Sequence, residues 1–239
     1  MQFFIFVLLI CLFVFIYCVY LLAHDDFIFL RRDVTMERLF NLVFIGSMFS
    51  LFFARFFYGI FNSQSVFSNP FVFLLFPYYP GLSLVGGVLG TGVVFGFLAT
   101  NKKNTLPLGR MADFFSIACL ITLPVGFLGY FVFSEDSFST IKTVSMVIVY
   151  LILFVIFLRF LLPSLLNGKL KEGTIAFVFL ICFAVLNLIS NAFLKMSLLN
   201  YFKNFENITL FLLLTVSIVL IFRQENLLSK IKDRRKKSS

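Results

Sequence analysis

Apolar residues run along this chain in long blocks rather than alternating with polar ones. The blocks lie at residues 2–23, 39–61, 82–99, 111–133, 143–162, 174–194 and 208–222, seven in all. A helix rises 1.5 Å per residue, so blocks of this length match a hydrocarbon core of about 30 Å, and each is predicted to cross a membrane. The last block is short but extends at either end. The third is crowded by Gly86, Gly87, Gly90, Gly92 and Gly96. Glycine lets helix backbones approach closely, or lets a helix break where it lines a cavity. The first block contains Leu8-Leu9-Ile10-Cys11, the outline of a lipobox, but no basic residue precedes it and the apolar run continues to Ala23. It therefore reads as a retained span, not a cleaved signal peptide.

The links between blocks carry an uneven charge. Arg31, Arg32 and Arg38 separate the first two blocks, and Lys102, Lys103 and Arg110 the third and fourth. Arg159, Lys169 and Lys171 end and follow the fifth, and Arg223, Lys230, Lys232, Arg234, Arg235, Lys236 and Lys237 follow the last. The alternate links hold only Lys142, Lys195 and Lys203. The basic side is expected to be cytoplasmic. This gives an all-α polytopic membrane protein of seven transmembrane helices, with the N-terminus outside and the C-terminus cytoplasmic. Residues 1–222 read as one seven-span domain and 223–239 as a basic tail facing anionic lipid.

Composition agrees. The 239 residues are 61% hydrophobic and 13% charged, with 38 Phe and no Trp; mean hydropathy is +1.04. Soluble domains carry about 25% charge. The excess of apolar side chains argues against a soluble enzyme, a disordered chain and a nucleic-acid binder. Cys11, Cys18, Cys119 and Cys182 all lie inside apolar blocks without a CxxC, so neither a disulfide framework nor a metal site is expected. No Ser-His-Asp or Cys-His arrangement and no phosphate-binding glycine loop is present, and no cofactor is implied.

Polar residues inside the blocks are the candidates for chemistry. Arg55 sits six residues before the outer end of the second block, with Tyr58 at i+3 on the same helix face. Either Arg55 contacts a lipid phosphate or carboxylate in the bundle interior, or it snorkels to the outer headgroups; the sequence leaves both open. Asp113 opens the fourth block, where a carboxylate is stabilised by its own helix dipole. Asn187 and Asn191 share a face of the sixth, with Ser190 beside them, and are expected to hydrogen-bond a neighbouring helix or to face a substrate. His24, the single His, lies at the inner membrane edge, poorly placed for general-base work.

Short motifs in a fixed order then narrow the class. Ala54-Arg55-Phe56-Phe57-Tyr58, Asn69-Pro70, Gly81-Leu82-Ser83-Leu84-Val85-Gly86-Gly87 with Gly90, Arg110-Met111-Ala112-Asp113, and Gly126 to Glu135 follow one another. Together they resemble the prolipoprotein diacylglyceryl transferase family, whose corresponding stretches read G-A-R-x-x-Y, N-P, G-x-S-F-H-G-G-x-x-G, R-x-x-D and G-R-x-G-N-F-x-N-x-E. The matches cover about half the chain.

The resemblance implies a seven-span bacterial inner-membrane enzyme. Such enzymes transfer diacylglyceryl from phosphatidylglycerol to the lipobox cysteine of a lipoprotein precursor and release glycerol phosphate. The implied partners are thus phosphatidylglycerol and a lipoprotein signal peptide, with no metal and no nucleic acid. Arg55, Tyr58, Gly86, Gly87, Glu135, Asn187 and Asn191 are the implied lipid-binding positions. The departures fall on the chemistry. Val85 stands at the family His, Phe127 at the signature Arg, Tyr130 and Phe133 at the signature Asn pair, and Asn187 and Asn191 at an R-x-x-x-E pattern. A phosphate leaving group needs nearby positive charge, and a thiol attacks as thiolate. A non-catalytic paralogue that binds lipid or signal segments is the alternative, and a small transporter component a third reading.

Overall fold

In the computed structural model, residues 3–24, 26–32, 34–62, 81–100, 106–133, 137–192 and 198–225 are described. Among them the regular structure is helical throughout: α1 (Phe3–His24), α2 (Phe27–Arg31), α3 (Met36–Asn62), α4 (Leu84–Thr100), α5 (Leu108–Phe133), α6 (Ser137–Ile156), α7 (Leu162–Leu166), α8 (Thr174–Ala192), α9 (Leu198–Lys203) and α10 (Phe205–Gln224). Six helices are long and apolar enough to cross a membrane: Ile5–His24, Met36–Phe61, Leu108–Gly129, Thr143–Leu166, Thr174–Ala192 and Phe205–Gln224. The chain is a multi-pass membrane protein by that measure. The glycine-crowded block forms α4, an unbroken helix of 17 residues.

Helix ends follow local chemistry. Asp26 Oδ1 accepts from the N–H groups of Ile28 and Phe29 and starts α2. Thr35 Oγ1 accepts from Arg38 N ahead of α3. Asn204 Oδ1 accepts from Glu206 N and starts α10. Each satisfies a donor that the first helical turn leaves open. The fifth apolar block is not one regular helix. A π-helical turn, Phe157–Leu161, joins α6 to α7, immediately before Pro163. Proline has no N–H and crowds the carbonyl four residues back, and a widened turn accommodates that.

The chain folds as two compact units. The first comprises residues 1–108 and 117–154, the second 109–116 and 155–239. In the first, α4 lies against α3 at very short range. A Cβ placed on Gly86 would fall 2.5 Å from the Phe53 carbonyl oxygen, and one on Gly90 2.7 Å from that of Phe49. In lipid, association depends on such close packing because tails are as apolar as the helices themselves. Of the two roles open to the glycines, these two serve close approach. On α5, a Cβ at Gly129 would fall 2.3 Å from the Val7 side chain of α1, whereas one at Gly126 would make ordinary contact with Cys11.

In the second unit, α8 and α10 pack together, and Phe179, Phe183, Leu210 and Leu213 on them are buried. Asn191 Nδ2 donates to Asn207 Oδ1 across them at 2.9 Å, and Asn207 Nδ2 donates to Tyr201 O. The Tyr201 hydroxyl donates to Leu188 O at 2.8 Å. Burial pushes this phenol above its ordinary range.

Candidate functional site

Within the first unit, α3 presents Arg55 and Tyr58 on one face towards the start of α4. Arg55 is 0% exposed, and its Nη1 donates to the Gly81 carbonyl at 2.9 Å. Tyr58 covers the same residue: a Cβ at Gly81 would lie 2.3 Å from the Tyr58 ring. Gly81 has φ +155, a conformation L side chains rarely adopt, so both backbone and space demand glycine here. Two residues on, Ser83 N donates to Ala54 O at 2.9 Å, tying the start of α4 to the helix that carries Arg55. Ser83 Oγ then accepts from Gly86 N and caps α4.

Arg55, Tyr58, Gly81, Ser83 and Gly86 therefore converge, although 26 positions separate Arg55 from Gly81. Arg55 is buried with a backbone carbonyl, that of Gly81, as its partner. Gly86 and Gly87 sit in the first turn of α4. Gly87 approaches Ser50, with a Cβ there 3.1 Å from the hydroxyl.

The other candidates lie elsewhere. Val85 is buried in α4. Phe127 stacks on Tyr150 with ring centroids 5.9 Å apart, so apolar packing fills the position where the resembled family keeps Arg. Asn191 bonds the neighbouring helix as expected, whereas Asn187 Nδ2 turns back to Phe183 O on its own helix. Glu135, Asn69 and Pro70 lie outside the described residues, as do the side chains of Tyr130 and Phe133.

A second polar cluster belongs to the second unit. Asp113 does not serve its own helix start, five residues upstream. Its carboxylate accepts from Gly173 N at 2.7 Å and Ala176 N at 2.8 Å, so it caps α8. Glu225 Oε1 accepts from Lys171 N and from Thr174 Oγ1, and Gln224 Nε2 donates to Glu172 O. Arg110 Nη1 reaches Leu165 O at 3.4 Å. Glu225, Asn207 and Tyr201 escaped sequence reasoning. Their partners, backbone and side chain alike, lie between 6 and 54 positions away, so no local spacing announces them. Among the described residues no cluster of His, Cys, Asp or Glu can hold a metal ion.

No protein-family model, no curated protein and no solved structure matches this chain.

Proposed function

We propose that this protein is a diacylglyceryl transferase-like protein of the bacterial inner membrane, and that Arg55 receives the headgroup phosphate of phosphatidylglycerol. The observation that carries the reading is the guanidinium itself. It is wholly buried in a bilayer-length apolar helix and fixed beside Tyr58 by the Gly81 carbonyl. A charge in such a segment is expensive and marks a functional position by default. Arg is suited to phosphate by its planar fork of donors. The ordered motifs from Ala54 to Glu135 supply the family reading, and α4 would be the seventh span, with the N-terminus outside and the C-terminus inside. In the transfer, a lipobox thiol loses its proton and its sulfur forms a thioether with the glyceryl carbon. The bond from that carbon to the phosphate oxygen breaks, and glycerol phosphate leaves.

A second reading keeps the lipid and drops the transfer. It is favoured by the Phe127–Tyr150 stack and by buried Val85, which put apolar contacts where charge would stabilise the leaving group. One reconstitution separates the two. Purified protein is mixed with phosphatidylglycerol and a lipobox peptide, beside an active transferase. Transfer predicts glycerol phosphate release and a diacylglyceryl mass gain on the peptide. Lipid binding without either product supports the non-catalytic protein, and absence of both products and binding refutes the lipid reading altogether.

A further inference from the structure

The link between α1 and α3 carries an element that crosses nothing. At about 1.5 Å per residue, the 22 residues of α1 span about 33 Å, close to the hydrocarbon thickness, so His24 and Met36 both fall near a bilayer boundary. Between them, α2 is built tightly. Asp26 N donates to Ala23 O, the Asp26 carboxylate caps the helix, and Val34 N donates to Phe29 O. Phe29 is buried beneath it. The opposite face holds Phe27, 73% exposed, and Leu30, 62% exposed, with Arg31 and Arg32 exposed beside them. Asp25 and Asp33 lie outside the described residues.

Leu21 of α1 and Phe44 of α3, in the two spans that flank α2, are exposed as well. Aromatic rings mark the same level. Tyr20 meets His24 at 5.3 Å and stacks on Phe40 at 6.3 Å, and tyrosine gathers where membrane meets water. Long apolar side chains next to guanidinium groups suit the boundary between acyl chains and phosphates.

We propose that α2 is an interfacial anchor lying in the headgroup layer of the bilayer that its neighbours cross. Phe27 and Leu30 enter the acyl boundary, and Arg31 and Arg32 contact lipid phosphates. The proposal needs only a multi-pass membrane protein and is independent of what Arg55 binds.

The chain has no Trp, so a single introduced indole reports on one place. The full chain carrying Phe27→Trp is reconstituted in phosphatidylcholine–phosphatidylglycerol vesicles, with Leu30→Trp as a second reporter in case the first fails to fold. Phe44→Trp, about 12 Å further along α3 at 1.5 Å per residue, serves as the deep reference. The expected result is blue-shifted emission, quenched more by lipids brominated near the headgroup than by lipids brominated near the tail end, and shielded from iodide present on both sides. Strong iodide quenching would place the face in water and overturn the anchor. Shielding from both bromolipid and iodide would show protein covering the face, with the same consequence. In the Phe27→Trp background, Arg31→Ala with Arg32→Ala is expected to restore iodide quenching; an unchanged profile would refute the phosphate contact.

Discussion

A guanidinium in a membrane span costs up to about 2.5–3.5 kcal/mol on insertion scales, a figure that holds at the helix centre, and Arg55 sits six residues from the outer end of its block. A chain that keeps Arg55 wholly buried offsets part of that cost with the Gly81 carbonyl. Lipid binding separates function from scaffolding. Arg55→Met removes the donor of the Gly81 carbonyl, which is expected to cost about 1–3 kcal/mol in unfolding in detergent. Phosphatidylglycerol binding is expected to weaken with it. A purely structural arginine would give the lower midpoint with lipid binding intact. Gly81→Ala should be costly in either case, because it combines a strained φ with a clash against Tyr58; a loss of about 1–3 kcal/mol is expected from thermal unfolding. At this scale the sequence showed Arg55 and Tyr58 by their spacing alone. It was silent on the acceptor, because a backbone carbonyl carries no residue type.

At the scale of elements, the glycines of α4 divide by what faces them. Gly86 and Gly90 meet the α3 backbone, whereas Gly92 and Gly96 have nothing within 4 Å of where a Cβ would stand. Gly86→Ala should lower stability and push α4 from α3. Gly92→Ala should be neutral or stabilising by up to about 1 kcal/mol, the helix-propensity difference. Equal effects at both positions, read from unfolding midpoints, would contradict the packing described. Asp113 caps a helix sixty residues away, so Asp113→Ala is expected to cost about 1–2 kcal/mol, and Asp113→Asn less, because the amide oxygen still accepts. The apolar blocks located the long helices to within a few residues, except that α6 starts at Ser137, six residues ahead of the block at 143–162. Two features were hidden: the π turn before Pro163, which hydropathy does not register, and the partner of Asp113, which folding brings from distant sequence.

For the molecule as a whole, the blocks and the lopsided basic residues lead to seven spans, and α4 is the helix on which that number turns. At 17 residues it is at the lower limit for crossing. If α4 crosses, the two links around it face opposite sides. Alkaline phosphatase fused within residues 63–80 should then be active, a fluorescent protein fused within 101–105 should fluoresce, and one at the C-terminus should fluoresce too. The same reporter working on both sides of α4 would leave six spans. The lipid assignment rests on motif order together with one buried charge, and chemistry at that charge decides it. The most direct measurement is a titration of phosphatidylglycerol against phosphatidylcholine on the purified wild-type protein and on Arg55→Ala. The account predicts a preference for phosphatidylglycerol that weakens by about tenfold to a hundredfold in the variant, the equivalent of losing one charge-assisted contact. Equal affinity for both lipids, or a preference that survives Arg55→Ala, would contradict it.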